Sequence, residues 1–178
     1  MNDLFNTPRQ LPSSPKLMSV KEVGVIYAMQ KNQDWHSRLP RTIHGNLVGN
    51  KHHVFYGAEY MDHCFAVAIW TTPVARKLAE QGNFLELRRL AIAPDAPKFT
   101  ATWMLGKMVK LIKKKFPEIE KLYSYQDTEV HSGTIYAAAN WVIDKQTKGG
   151  EWSVPSRPRP KAQSAADKIR WTYNLRAA

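Results

Sequence analysis

The run Ala96-Pro97-Lys98-Phe99-Thr100-Ala101-Thr102 holds a dense set of groups suited to an anion. It lies between an apolar, strand-like stretch, Phe84 to Ile92, and a lysine-rich stretch with helical periodicity. The first N–H groups of a helix have no internal partners, and the helix dipole is positive there. The amides near Phe99 to Thr102, with Lys98 and the hydroxyls of Thr100 and Thr102, therefore suit a pyrophosphate. The bland alternative is an ordinary helix cap. The strand edge beside this loop, from Leu90 to Ile92, could hydrogen-bond an extended ligand arm as an added strand would. Arg89 shares strand parity with Leu85 and Leu87, so it is expected to face inward. An inward arginine needs an anion, either a ligand or a carboxylate such as Glu86 or Asp127. Farther on, Tyr136 precedes Asn140 by four residues and Trp141 by five. Asparagine tolerates the left-handed backbone that ends a helix, which lets Trp141 fold back on the core.

Holding these residues requires a strand–helix–strand unit. Pro94 and Pro97 stop the strand that begins at Phe84. Leu105, Met108, Val109, Ile112 and Phe116 then recur at helical spacing and form a buried stripe. Lys107, Lys110, Lys113, Lys114 and Lys115 occupy much of the remaining surface, and Pro117 ends the helix. Leu122 to Tyr125 reads as a second strand, parallel to the first because such crossovers are right-handed. Asp127 follows it, at the end where parallel sheets hold their ligands.

Around this unit, residues 1–17 read as a proline-containing flexible arm and 18–178 as one domain. A helix is predicted from Val20 to Gln33, with Ser19 as N-cap and Glu22 completing a capping box. A loop with His36 follows. Val54 to Tyr56 and Cys64 to Thr72 form an antiparallel hairpin turning near Asp62, and Pro73 to Gln81 a short helix. After Trp141 the chain turns polar. Ser153 to Gln163 reads as an extended loop, and Lys168 to Leu175 as a final edge strand within a basic C-terminal segment, 153–178.

Composition narrows the classes. The chain has 178 residues, enough for one well-buried core. No apolar run approaches the 18 or so residues that cross a bilayer, so no membrane partner is expected. Cys64 is the single cysteine, which fits a reducing cytoplasm. The net charge of +11 comes from 26 Lys and Arg against 15 Asp and Glu and points to a polyanion, with nucleic acid the leading class. Arg157, Arg159, Lys161, Lys168 and Arg170, interleaved with Pro, Trp171 and Tyr173, suit phosphate contact and base stacking. The alternative is a solvated tail. Six histidines show no compact ligand spacing, so no metal ligands are assigned and iron is unsupported.

The Tyr136-x-x-x-Asn140-Trp141 ending resembles the Tyr-x-x-x-Gly-Phe ending of the GNAT superfamily of N-acetyltransferases. There the tyrosine often serves as general acid for a leaving thiolate. The superfamily's phosphate loop carries glycines that are missing here, where Phe99 restricts backbone approach. A narrower resemblance absorbs that departure. Glu86-Leu87-x-Arg89-Leu90, Ala96-Pro97-Lys98-x-Thr100-Ala101-Thr102-Trp103, Asp127, and His131-x-Gly133-x-Ile135-Tyr136-x-Ala138-Ala139-Asn140-Trp141 are similar to the Mom family of phage DNA-modification proteins, a divergent GNAT branch.

That resemblance implies an α/β fold: an acetyltransferase-like, mostly antiparallel mixed sheet with a splayed central parallel pair. It implies acetyl-CoA as cofactor, double-stranded DNA as partner, and conversion of adenine to an N6-carbamoylmethyl derivative by a phage protein in the host cytoplasm, which protects DNA from restriction. Arg89 and Thr102 match positions tied to the acyl carrier, and His36 and Asp127 positions tied to activity. Asp127 could take a proton from the adenine amine, or merely cap a helix. His36 could be base or stacking residue, or an exposed loop histidine. Tyr136 could be acid or binding residue, or a core aromatic. The rivals are an ordinary N-acetyltransferase acting on a small amine or protein, and a DNA-binding relative without catalysis.

Overall fold

The structure is a computed structural model and describes residues 10–36, 44–129, 131–149 and 166–176. Seven strands form one sheet: β1 (Ser19–Glu22), β2 (His53–Tyr60), β3 (His63–Thr71), β4 (Phe84–Ile92), β5 (Lys121–Asp127), β6 (Val142–Thr147) and β7 (Lys168–Asn174). The order across the sheet is β1-β2-β3-β4-β5-β7-β6. Every neighbouring pair is antiparallel except β4 and β5, which are parallel as a right-handed crossover requires. The fold class is therefore the mixed, mostly antiparallel α/β sheet expected.

Helices flank both faces. One face carries α1 (Val25–Trp35) and α2 (His44–Val48), with α1 packed on β3 and β4. The other carries α4 (Thr100–Lys115) and α5 (Thr134–Ala138), while α3 (Arg76–Ala79) is a single turn before β4. The apolar stripe of α4 does what its spacing predicts. Leu105, Met108, Val109 and Ile112 are buried, joined by Met104, against Phe65, Trp70, Leu85 and Leu122. Lining up such a stripe with one sheet face removes most of its apolar area from water. Trp70 meets its polar requirement inside this core by donating Nε1–H to the Met108 sulfur at 3.2 Å. The hairpin turns at Met61 and Asp62, both in left-handed backbone, the twist that matches antiparallel strands.

Four expectations need correction. Residues 19–22 are a strand, because Ser19 to Glu22 pair with Glu59 to Tyr56 and complete the sheet edge. The helix starts after Gly24, and Ser19 caps nothing. Neither Thr100 nor Thr102 caps α4; the N-cap position is Phe99. Val142 to Thr147, read as polar irregular chain, is an edge strand with all six residues exposed, so it lacks the alternation that marks a half-buried strand. Its presence moves β7 inside, between β5 and β6, although Lys168 to Leu175 was expected at the edge.

Candidate active site

The two parallel strands are zipped only at their beginnings. Phe84, Leu85, Glu86 and Leu87 pair with Lys121, Leu122, Tyr123 and Ser124, and the ladder stops there. Each strand continues on its outer side. β4 stays paired with β3 as far as Ile92↔Ala66, and β5 stays paired with β7 as far as Asp127↔Lys168. The inner edges of Arg88–Ile92 and Tyr125–Asp127 thus diverge from a fork at Leu87 and Ser124. A bulge helps to open it: Trp70 faces Leu87 and Ile69 faces Arg89, so Arg88 is the extra residue. Bulges bend a strand and re-aim the side chains beyond them.

On the helix α4 side of the fork lies a cavity of about 310 Å³, lined by Ile92, Pro97, Phe99, Thr100, Ala101, Thr102, Thr134, Ile135 and Ala138. The loop in front of α4 turns at Phe99, whose φ of 68° and ψ of 8° are left-handed. That is the conformation glycine adopts without strain, reached here by a bulky residue. Thr100 uses its hydroxyl locally, donating to the Pro97 carbonyl at 2.6 Å. The N–H groups of Phe99, Ala101 and Thr102 have no acceptor among the described residues, the arrangement an anion completes. Of the residues expected here, Ile92, Phe99, Thr100, Ala101 and Thr102 line the cavity, and Lys98 is exposed on the same loop. Leu90 packs on the core beside it. Asn140 does not line it. It takes the left-handed conformation expected of it (φ 62°) and turns the chain so that Trp141 packs against Trp70 and Tyr136.

Tyr136 sits at the base of the same side. Its ring stacks on Trp171 with centroids 5.5 Å apart, and its hydroxyl lies 2.8 Å from the Ser124 hydroxyl, at the fork itself. Burial pushes its pKa up, and the bond to Ser124 offsets part of the rise. The phenol therefore keeps its proton at neutral pH. Gln126 ties the next turn down: its Nε2 donates to the His131 carbonyl at 2.6 Å, and its Oε1 accepts from Trp171 Nε1 at 2.8 Å.

Arg89 lies across the sheet from the cavity. The bulge at Arg88 shifts its parity, so it faces the α1 side with Ile69, whereas Leu85 and Leu87 face α4. Its Nη1 donates to the Arg88 carbonyl at 2.7 Å, and its buried Nε has no partner among the described residues. Glu86 is the nearby carboxylate. It accepts from the Val74 N–H at 3.0 Å and lies 3.8 Å from Arg88. Burial raises its pKa, while that N–H and the charges of Arg88, Arg89 and Lys168 pull it down. His36 closes α1 as its C-cap and is half-buried. Burial first, then Arg89 and His131, hold its imidazole below the usual histidine range. His36 is thus a neutral base at pH 7, on the α1 face of the fork. Asp127 ends β5 half-exposed. Its Oδ1 accepts from the Glu129 N–H at 3.1 Å and its carbonyl from the His131 N–H at 3.0 Å, so it also shapes the turn.

The basic residues of β7 are on this same face. Arg170 pairs with Tyr125 in the ladder, lies 5.2 Å from the Tyr123 ring centroid, and is salt-bridged to Asp144. Lys168 stands opposite Asp127. Arg157, Arg159 and Lys161 lie outside the described residues. Among the described residues no group of three or more His, Cys, Asp or Glu could hold a metal ion, and no helix is long and apolar enough to cross a membrane.

Sequence reasoning missed Ser124 and Gln126 as parts of the site. Both had a signal: Leu122, Ser124 and Gln126 share one inward face of β5, and that face turns from apolar to polar toward the fork. Residues 26–159 match the sequence profile of the Mom protein family. No curated protein matches the chain by sequence. Among solved structures, the chain is similar to the Escherichia coli ribosomal-protein-S18-alanine N-acetyltransferase (TM-score 0.62, 10% identity, 90% of this chain and 96% of that one). It is likewise similar to a Bacillus subtilis acetyltransferase in complex with CoA (TM-score 0.62, 9% identity, 88% and 98%). A third is the Vibrio cholerae spermidine N-acetyltransferase in complex with CoA and spermine (TM-score 0.61, 11% identity, 90% and 96%). At these identities the likeness shows the fold.

Proposed function

Because the chain belongs to the Mom protein family, and its sheet is that of the N-acetyltransferases, we propose that it is a transferase that modifies adenine in double-stranded DNA. The product is an N6-carbamoylmethyl or related acyl-type derivative that shields phage DNA from restriction. The observation that carries the reading is the fork: two parallel strands part at Leu87 and Ser124, with an anion-ready cavity on one face and a basic, base-bearing surface on the other.

The residues fit acyl-coenzyme A. The free N–H groups of Phe99, Ala101 and Thr102, with Lys98 beside them, would hold its pyrophosphate, and the unpaired edge from Leu90 to Ile92 its extended arm. When bound, coenzyme A supplies a thioester-activated acyl group. Tyr136, protonated and hydrogen-bonded to Ser124, stands at the fork as a proton donor for a departing thiolate. From the other face, neutral His36 can take a proton from an incoming amine, and Asp127 can accept a hydrogen bond from it. An adenine reaches such an enclosed centre by leaving the duplex stack, with Lys168 and Arg170 steadying phosphates. These groups account for amine acylation; a carbamoylmethyl product needs in addition an N6–CH2 bond, which attack at a thioester carbonyl does not form, and a donor for its amide nitrogen.

A polyamine acceptor, like that of the Vibrio cholerae neighbour, fits less well. Arg88, Arg89, Lys168 and Arg170 would repel it from this face, and the chain carries a charge of +11. The test is to express the protein in cells, digest their DNA to nucleosides and weigh the adenosines. A heavier adenosine that disappears with Asp127→Ala is expected. An unchanged nucleoside profile from abundant, folded protein sinks the reading.

A further inference from the structure

Phe99 is an unfavourable choice for its position. A bulky side chain is disfavoured in left-handed backbone, and the chain uses Gly133 and Asn140 where it needs that conformation at α5. Phe99 is also 79% exposed, the most exposed large hydrophobic side chain among the described residues. Neither backbone preference nor core packing accounts for the ring. Its surroundings do: it lines the cavity at the start of α4, and its own N–H is one of the unpartnered donors there.

We infer that the Phe99 ring is a stacking platform for the adenine base of the carrier, an inference that rests on the acyl-coenzyme A reading above. A pyrophosphate held by the Phe99, Ala101 and Thr102 amides brings the adjoining adenosine to the outer lip of the cavity. The ring projects from that lip, and an aromatic side chain stacks on a base through its π-face without needing a hydrogen-bond pattern. A glycine would give the loop its turn but no such surface. The ring lies across the sheet from Arg89, Lys168 and Arg170, so it serves the carrier and not a nucleic acid approaching the basic face.

Calorimetric titration of the full chain with coenzyme A and with 4′-phosphopantetheine, which lacks the adenosine, tests this. Phe99→Asn keeps a residue that tolerates left-handed backbone and removes the ring. It is expected to weaken coenzyme A binding by roughly fivefold to a hundredfold, the range for loss of one base stack, and to leave phosphopantetheine affinity within about twofold. Phe99→Tyr should restore coenzyme A binding. Unchanged coenzyme A affinity in Phe99→Asn overturns the platform and leaves the carrier reading intact. So does equal weakening of both ligands, which would assign the effect to the loop backbone, or a loss confined to duplex DNA binding. Failure of the unaltered protein to bind either ligand overturns the carrier reading and the platform with it.

Discussion

Tyr136 and Ser124 form one hydrogen bond, and removing it from either end separates structure from chemistry. Tyr136→Phe deletes a single oxygen and keeps the ring against Trp171 and Trp141. It forfeits a 2.8 Å bond worth about 1 kcal/mol net and leaves the Ser124 hydroxyl, 2% exposed, without that partner at a further cost of about 1–2 kcal/mol. Ser124→Ala breaks the same bond and leaves the buried phenol without it, so its cost is of the same size. At about 2–4 °C per kcal/mol for a chain of this length, both variants should melt roughly 4–12 °C below the parent. Tyr136 does not blur the comparison. Its folded pKa is raised above about 10, so its contribution to stability is fully present below pH 10 and is lost only as pH climbs from there toward the folded value. Activity should split where stability does not. If the proposed function holds, loss of the proton donor in Tyr136→Phe should lower the rate of adenine modification by about 10²–10⁴, whereas Ser124→Ala keeps the proton and should stay within about tenfold. The assay is single turnover with an acyl-coenzyme A and duplex DNA, read as modified adenosine by mass spectrometry beside a thermal melt. Equal losses of activity in the two variants, or near-parental turnover in Tyr136→Phe, would leave Tyr136 as a core aromatic and refute its role as acid.

Gly133→Ala puts a methyl 2.4 Å from Gln126 Oε1 and 2.8 Å from Trp171, at a φ of +76°. It should destabilise by about 2–4 kcal/mol from backbone strain plus overpacking; a melting point within about 2 °C of the parent, roughly the effect of 1 kcal/mol or less, contradicts that geometry. His36 has a folded pKa below its unfolded value near 6.5, so its contribution to stability is present above pH 6.5 and is lost as pH falls through the folded pKa. Arg89→Gln removes one cause of the depression. The His36 ring proton, followed by NMR, should then titrate at higher pH than in the parent, and an unmoved titration would show that the two groups do not couple.

The strand–helix–strand unit was legible because each piece carries its own period. Leu105, Met108, Val109 and Ile112 leave little room for anything but a helix buried on one side, and Pro94 and Pro117 bracket its neighbours. Asn140 was legible for a similar reason: only a few residue types end a helix in left-handed backbone. Arg89 was misplaced by the same kind of reasoning. Alternation assigns a strand residue to a face only while the ladder is regular, and the bulge at Arg88 moved Arg89 to the opposite side. Nothing local announces a bulge, because it is set by the pairing of β4 with β3. β6 was missed because a strand exposed on both faces has no burial pattern to read. His131 belongs to a legible motif, but its influence on His36 does not show there; it depends on the return of the chain after β5, which no spacing within either segment encodes.

On the proposed function, that bulge also explains how one sheet can serve two reactants. If β4 were regular through Arg88, Arg89 would point toward α4, into the side that holds the anion-ready cavity, and the α1 face would lose the guanidinium that helps keep His36 neutral. One inserted residue separates the two demands. Beyond it Leu90 and Ile92 point toward α4 and the cavity, while Arg89, like Glu86 ahead of the bulge, points away. The same distortion turns β4 from β5 just beyond Leu87, so the proposed proton donor and proton acceptor approach the gap from opposite faces. Tyr136 is reached through Ser124, the last residue of β5 paired with β4, and His36 through the end of a helix packed on β3 and β4. A site of this kind needs the acid dry and protonated, and the base partly buried but uncharged. Burial is the leading cause of both shifts, and placing the two groups on opposite sides of one sheet allows each to be tuned without the other.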